Sequence, residues 1–453
     1  MTAKYTGPSL TARISSAGWV LGLLFAINLV NYLDRLLAVA AGPTLKLEFG
    51  LSDRDIGLLA SAFLLIYTVA ALPLGLVADR VARSRVVALG VALWSVTSGA
   101  TAFCRSFGGL LATRAGVGIG EASYFPAGAA LLSAYYPLKQ RARAMSRWGA
   151  GQMVGTALAF ALIAALDHAL GPLLGWRAAF AIAAAPGLLL AALMWFVRDR
   201  PAANGEPAAE SSAVAAPGTA PAETVRLSSP SQTLAGVLAQ IGGVLRIRTV
   251  VLSIALQAIV YIVTTPTITF LTIYVPSRAS GFRLGPGQAA LVSGLVIVLG
   301  GLAGTLFGGY LADWLSPRVP GGRILAIGLG FAAALPCYVV ALLTHALPVF
   351  LVAATLAVVA LTIQVGPLGA IVQDATPAHL RASAVAVSLV LAHLLGDAWA
   401  ATAVGAISTA LGERTNLGLL IVGVPALVVG MAVALLGARV YLADLAARQG
   451  SRP

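Results

Sequence analysis

Residues 75–85, GLVADRVARSR, and residues 309–318, GYLADWLSPR, are two copies of one loop: Gly75, Ala78 and Asp79 return as Gly309, Ala312 and Asp313, 234 residues later. A second pair keeps nearly the same spacing. Pro137, Arg141 and Ala144 in PLKQRARA return as Pro377, Arg381 and Ala384 in PAHLRASA, 240 residues later. Two independent loop signals at nearly one offset mean two structurally equivalent halves. Internal halves in an apolar chain point to a carrier whose halves rock about a central site.

The stretches between these loops are apolar. Of the 453 residues, 59% are hydrophobic and only 10% charged, and the mean hydropathy of +0.92 lies far from the balance of a soluble globule. A membrane span needs about 20 apolar residues. Gly, Pro, Arg and Asp clusters cut the chain into twelve such stretches, expected at 16–41, 54–79, 84–104, 107–134, 143–167, 176–197, 248–277, 287–314, 323–344, 347–374, 382–410 and 415–443. The fold class that follows is an all-α polytopic membrane protein, twelve transmembrane helices in two pseudo-symmetric six-helix bundles. The expected units are an N-terminal segment 1–15, a first bundle 16–197, a linker 198–247, a second bundle 248–443 and a tail 444–453.

A net charge of +13 could suggest nucleic acid, but the placement of the basic residues excludes it. With both termini inside, 20 of the 29 Lys and Arg fall in cytoplasmic segments and 7 outside, leaving only Arg35 and Arg114 within spans. That asymmetry is the positive-inside rule and sets the expected orientation. The basic face also suits anionic lipid headgroups. Residues 1–15 are polar and lack a cleavage site, so span one is expected to be an uncleaved anchor. Residues 201–232, rich in Pro, Ala, Ser and Glu, read as a flexible connector, and 233–248 as a helix on the inner surface. Cys104 and Cys337 lie in or near spans, where a lone thiol behaves as a small apolar group, and neither a disulfide nor a metal site is expected.

Three strings carry a family resemblance: INLVNYLDRLLA (27–38) in span one, TRAGVGIGEASYFPAG (113–128) in span four and LAHLLGDAW (391–399) in span eleven. With twelve spans and the duplicated G-x-x-x-D loop, the whole chain resembles the major facilitator superfamily, and these strings resemble its Spinster branch. The resemblance implies a bacterial, inner-membrane secondary transporter, working as a monomer without cofactor. It also implies a lysolipid or other amphiphilic anion as cargo, with protons as the coupling ion; the alternative is a proton-linked carrier of soluble organic anions or drugs.

The residues support a site on their own terms. Ionisable groups inside a span cost on the order of 3 kcal/mol each, so they face a cavity and pair. The first half holds four: Asp34, Arg35, Arg114 and Glu121. Arg114 and Glu121 are seven residues apart, about 10 Å along one helix face, and at a depth that matches the Asp34–Arg35 pair. All four are expected in one space. Asp34 and Glu121 are the candidate proton carriers, since a carboxylate that loses its Arg in a dry pocket takes up a proton. Arg35 and Arg114 are the candidate headgroup ligands, because guanidinium presents a fork of donors. The alternative is a permanent ion cluster that locks spans one and four together.

In the second half, His393 and Asp397 are one turn apart, either as a second proton relay or as a helix contact. Gln257 and Tyr261, with Thr264, form a polar stripe on span seven that either lines the cavity or packs on another helix. Gly75, Asp79, Arg80 and Arg83, with Asp313, Arg141 and Arg381, are expected to gate at the inner face rather than bind. The second copy is degenerate, since Trp314 replaces the Arg that follows Asp79. No nucleotide loop, nucleophile elbow or metal-ligand cluster occurs, which argues against ATP-driven transport and against an enzyme.

Overall fold

A computed structural model of the chain describes residues 16–78, 81–199, 241–277, 279–377 and 380–449. The helices of the first half are α1 (Ala17–Ala40), α2 (Gly42–Phe49), α3 (Asp53–Ala78), α4 (Arg83–Thr101), α5 (Phe107–Tyr135), α6 (Leu138–Leu170) and α7 (Pro172–Trp195). Those of the second half are α8 (Arg248–Tyr274), α9 (Pro286–Leu315), α10 (Gly322–Leu343), α11 (Leu347–Thr362), α12 (Val365–Ala375), α13 (Arg381–Leu395), α14 (Asp397–Ala410) and α15 (Thr415–Gln449). Among the described residues, ten helical segments are long and apolar enough to cross a membrane. Helices α4 and α5, whose Ser, Thr, Gly and charged residues lower their hydropathy, complete the twelve crossings.

Alternate helix ends gather at two faces. The basic face carries the loops near residues 81, 136, 198, 318 and 377, and the far face those near 51, 104, 171, 280, 345 and 412. Local signals set the ends. Ser16 and Ser106 cap α1 and α5 by accepting from Trp19 N–H at 3.3 Å and Gly109 N–H at 3.2 Å. Gly50 ends α2 in the left-handed conformation, φ 61°.

Three features depart from the expected spans. The short helix α2 follows span one at the far face. The stretch expected as one span over 347–374 is interrupted at Ile363–Gln364, and that over 382–410 breaks at Gly396. At Gly396 the backbone lies against α8, where a Cβ would stand 2.7 Å from the Ala258 carbonyl oxygen and 2.8 Å from Tyr261 Cβ. A side chain there would force α8 and α13 apart. Neighbouring helices satisfy broken backbone of this kind in a membrane protein.

The first half is packed around Trp94, Tyr124 and Trp148, all buried. Trp148 Nε1 donates to the Tyr124 hydroxyl at 2.5 Å, which donates to the Leu24 carbonyl at 3.0 Å, while Asn28 donates to the Trp148 carbonyl at 3.1 Å. The indole and phenol are thus satisfied in an apolar interior. Residues 200–240 lie outside the described residues, and with them most of the expected linker.

Candidate functional site

Between the halves lies a cavity of about 290 Å³. Its wall is mostly apolar, with residues of α1 to α7 on one side and of α8, α9, α11, α13 and α14 on the other. Arg35, Arg114, Tyr261, His393 and Asp397 all reach that wall.

Arg35 is held on two sides. Its Nη2 and Nε donate to Glu121 Oε2 at 2.7 and 3.1 Å. Its guanidinium also lies 5.2, 5.1 and 5.2 Å from the ring centroids of Tyr32, Phe63 and Tyr67. The Glu121 side chain is fully buried. An aromatic box around a paired guanidinium keeps the cation in a dry place, since ring faces substitute for part of its hydration. The box was missed in the sequence, although Tyr32 stands one turn before Arg35, and Phe63 and Tyr67 one turn apart on α3.

Arg114 is arranged differently. It is 5% exposed, donates from Nη2 to Thr101 Oγ1 at 3.2 Å and stacks over Phe180 at 5.4 Å. Among the described residues no carboxylate comes within ion-pair distance of it. Asp34 and Glu121 act on it only through space.

Asp34 departs from its expected place. It is 0% exposed and accepts from Ser98 Oγ of α4 at 3.0 Å, away from the cavity wall. Consecutive helix residues point about 100° apart, so Arg35 takes the cavity side of α1 and Asp34 the side packed on α4. The four charges form one neighbourhood, but only the two arginines line the cavity.

On the opposite wall His393 Nδ1 lies 2.9 and 3.0 Å from the two Asp397 oxygens. Thr265 Oγ1 donates to Asp397 at 3.4 Å. The Tyr261 ring stacks on the imidazole at 4.6 Å and 13°. Gln257 does not reach the cavity; it donates to the Tyr261 hydroxyl at 3.1 Å and supports it from behind. The break at Gly396 sets the direction of Asp397, the first residue of α14. Threonines 264, 265, 269, 305 and 362 give this wall a row of hydroxyls that the sequence alone did not single out beyond Thr264.

Of the expected gating residues, Arg83, Arg141 and Asp313 are not on the cavity wall. Asp79 and Arg80 fall outside the described residues, as does the side chain of Arg381. Gly75 lies near the end of α3, and Asp313 is exposed near the end of α9. The Asp199 carboxylate caps α4 by accepting from the Arg83 and Ser84 N–H groups at 2.5 and 3.0 Å. Arg141 Nε donates to the Tyr136 carbonyl at 3.0 Å.

A family model described as Major Facilitator Superfamily matches residues 24–401. Protein spinster of Drosophila melanogaster is 26% identical over 421 residues, 89% of this chain and 64% of that protein. The probable L-galactonate transporter of Escherichia coli (strain K12) is 33% identical over 178 residues, 39% of this chain and 38% of that one. The match thus spans less than two thirds of either relative. The same architecture occurs in a solved bacterial homolog of the human lysosomal transporter Spinster, inward-facing and unoccupied, with a TM-score of 0.76 at 24% identity, covering 97% of this chain and 99% of that one.

Proposed function

Because this chain belongs to the Major Facilitator Superfamily and is a transporter rather than an enzyme, we propose that it carries an amphiphilic organic anion of the lysophospholipid type by proton-coupled alternating access. The observation that carries the reading is Arg114: a buried guanidinium on the wall of a largely apolar cavity, without an ion-paired carboxylate among the described residues. A buried charge calls for a counter-charge. A substrate carboxylate or phosphate supplies it, and the apolar wall takes a single chain.

Glu121 is the proton carrier in this reading. Ionised, it neutralises Arg35; protonated, it releases Arg35 within its aromatic box to share the substrate anion with Arg114. Asp34 shapes the field at Arg114 from behind the wall, and His393 with Asp397 forms a second polar point on the facing bundle. Bundles 16–197 and 248–443 rock about the cavity, joined by linker 198–247. The gating loops are assigned to the basic face, which, with both termini, lies in the cytoplasm, and the chain works as a monomer in the inner membrane of a bacterium.

A second reading is a carrier of soluble, hydroxylated organic anions. The likeness to the probable L-galactonate transporter supports it, as does the threonine row facing Arg114 across the cavity. Uptake of labelled lysophospholipid and of labelled hexuronate into proteoliposomes, with and without a pH gradient, separates the two. The main reading expects gradient-dependent lysophospholipid flux that collapses in Glu121→Gln. Flux of hexuronate alone moves the assignment to the second reading.

A further inference from the structure

At the far face, outside the central charged cluster, a network joins the halves. Lys46 on α2 pairs with Asp53 at the start of α3 and, across the boundary, with Glu413 Oε2 at 2.5 Å. Asp53 is 0% exposed and accepts from two hydroxyls of the second half, Ser408 Oγ at 2.5 Å and Thr415 Oγ1 at 2.7 Å. The Asp53 and Arg54 N–H groups donate to Glu413 Oε2 at 3.1 Å and Thr409 Oγ1 at 3.2 Å.

The backbones meet here as well. A Cβ on Gly57 would stand 2.3 Å from the Ala401 carbonyl oxygen, and one on Gly405 would stand 2.2 Å from that of Asp53. Only glycine permits α3 and α14 to close this far. Glu413 itself has φ 63°, a left-handed conformation that non-glycine residues rarely adopt and that persists where surrounding contacts hold it. A second tie lies nearby, where the Gly287 N–H at the start of α9 donates to Asp167 of α6 at 2.8 Å.

We propose that Lys46, Asp53 and Glu413 form a releasable latch that holds the far face shut, and that α2 carries the state of the cavity to it. The charge pattern suits release. Opening separates Lys46 from Glu413, yet leaves Lys46 with Asp53 inside the first half, so the buried carboxylate keeps its counter-ion. Glu413, whose side chain is 38% exposed, passes to water at little cost. The lysine stays charged throughout: burial opposes its charge, but hydrogen bonds to Asp53 and Glu413 outweigh this and hold its pKa above the ordinary lysine value.

The link to the cavity is α2 itself. Gly42 and Leu45, four and one positions before Lys46, are on the cavity wall. Glu48, on the same helix, is fixed to α7 by Arg177 Nη2 at 2.5 Å and Trp176 Nε1 at 2.6 Å. The helix is thus anchored to the first half at Glu48, while its start at Gly42 lies beside Thr272 and Ile273 of α8. A ligand that presses on Gly42 and Leu45 tilts α2 about its Glu48 anchor and works on the Lys46 arm.

The latch rests on alternating access but not on which anion is carried. Its test uses the full chain in lipid nanodiscs, with Cys104 and Cys337 replaced by Ala and spin labels at far-face positions 105 and 346, one in each half. The parent is expected to show a dominant short distance. Glu413→Gln is expected to raise the ratio of long to short distances at least threefold, and Glu413→Asp, which keeps the charge, less than that. If Glu413→Gln fails to fold, Lys46→Met is read in its place. A distance distribution unchanged in a folded Glu413→Gln or Lys46→Met protein overturns the latch, even where anion flux is intact. A latch that responds in a chain carrying neither test anion stands, while the substrate reading falls.

Discussion

Two adjacent charges on α1 do different work because a helix turns about 100° per residue. Arg35 lies in the cavity, boxed by rings and paired with Glu121, while Asp34 is sealed against Ser98. Which of the two faced the cavity was not legible in NYLDR, since neither periodicity nor charge distinguishes neighbours on one turn. Arg114 was legible as a buried cation, but not that it has no ion-paired carboxylate among the described residues, because two carboxylates and two arginines in one neighbourhood do not say which pairs form. Replacing Arg35 is expected to strand Glu121. Arg35→Gln leaves a buried carboxylate without its counter-ion, at a stability cost of about 3 kcal/mol, and Arg35→Gln combined with Glu121→Gln recovers most of it. Melting of the purified single and double variants checks this. At Ser98, Ser98→Ala removes one hydrogen bond to a buried carboxyl group, costs about 1 kcal/mol, and leaves substrate affinity within about twofold, as read by equilibrium binding.

At the scale of elements, spans were legible from their apolar length and from the Gly, Pro, Arg and Asp clusters that separate them. Breaks inside spans were not. Gly396 stands between Leu395 and Asp397 with no proline to mark a break, and what breaks the helix is tertiary: the approach of α8, visible only once Ala258 and Tyr261 are in place. Gly396→Leu is therefore expected to separate α8 from α13, to disturb the Tyr261–His393 stack and to cost about 3 kcal/mol by overpacking, seen as a lower melting temperature. Helix α2 escaped notice because eight residues with Lys46 and Glu48 read as a loop. Its lysine gives a pH expectation of definite sign. A pKa raised on folding stabilises fully below the ordinary lysine value, about 10.4, and the contribution is lost only as pH rises through the higher folded value. The melting difference between the native chain and Lys46→Met should thus stay flat from about pH 6 to 9 and shrink only above that.

For the whole molecule, the repeated loops around Asp79 and Asp313 were enough to predict two halves, because a duplicated element in an apolar chain leaves few other architectures. How the halves meet was less legible. The Lys46–Glu413 contact joins residues 367 apart in sequence, and no local pattern announces such a pair. The central cavity follows from the same meeting of halves, and the claim on which its function turns is that Arg114 takes the anionic group of the cargo. Equilibrium binding of a labelled lysophospholipid to the chain in lipid nanodiscs, native beside Arg114→Gln, tests that most directly. At least a tenfold loss of affinity, about 1.4 kcal/mol, is expected, with an unchanged melting temperature; equal affinity in a folded Arg114→Gln protein would contradict that role for Arg114.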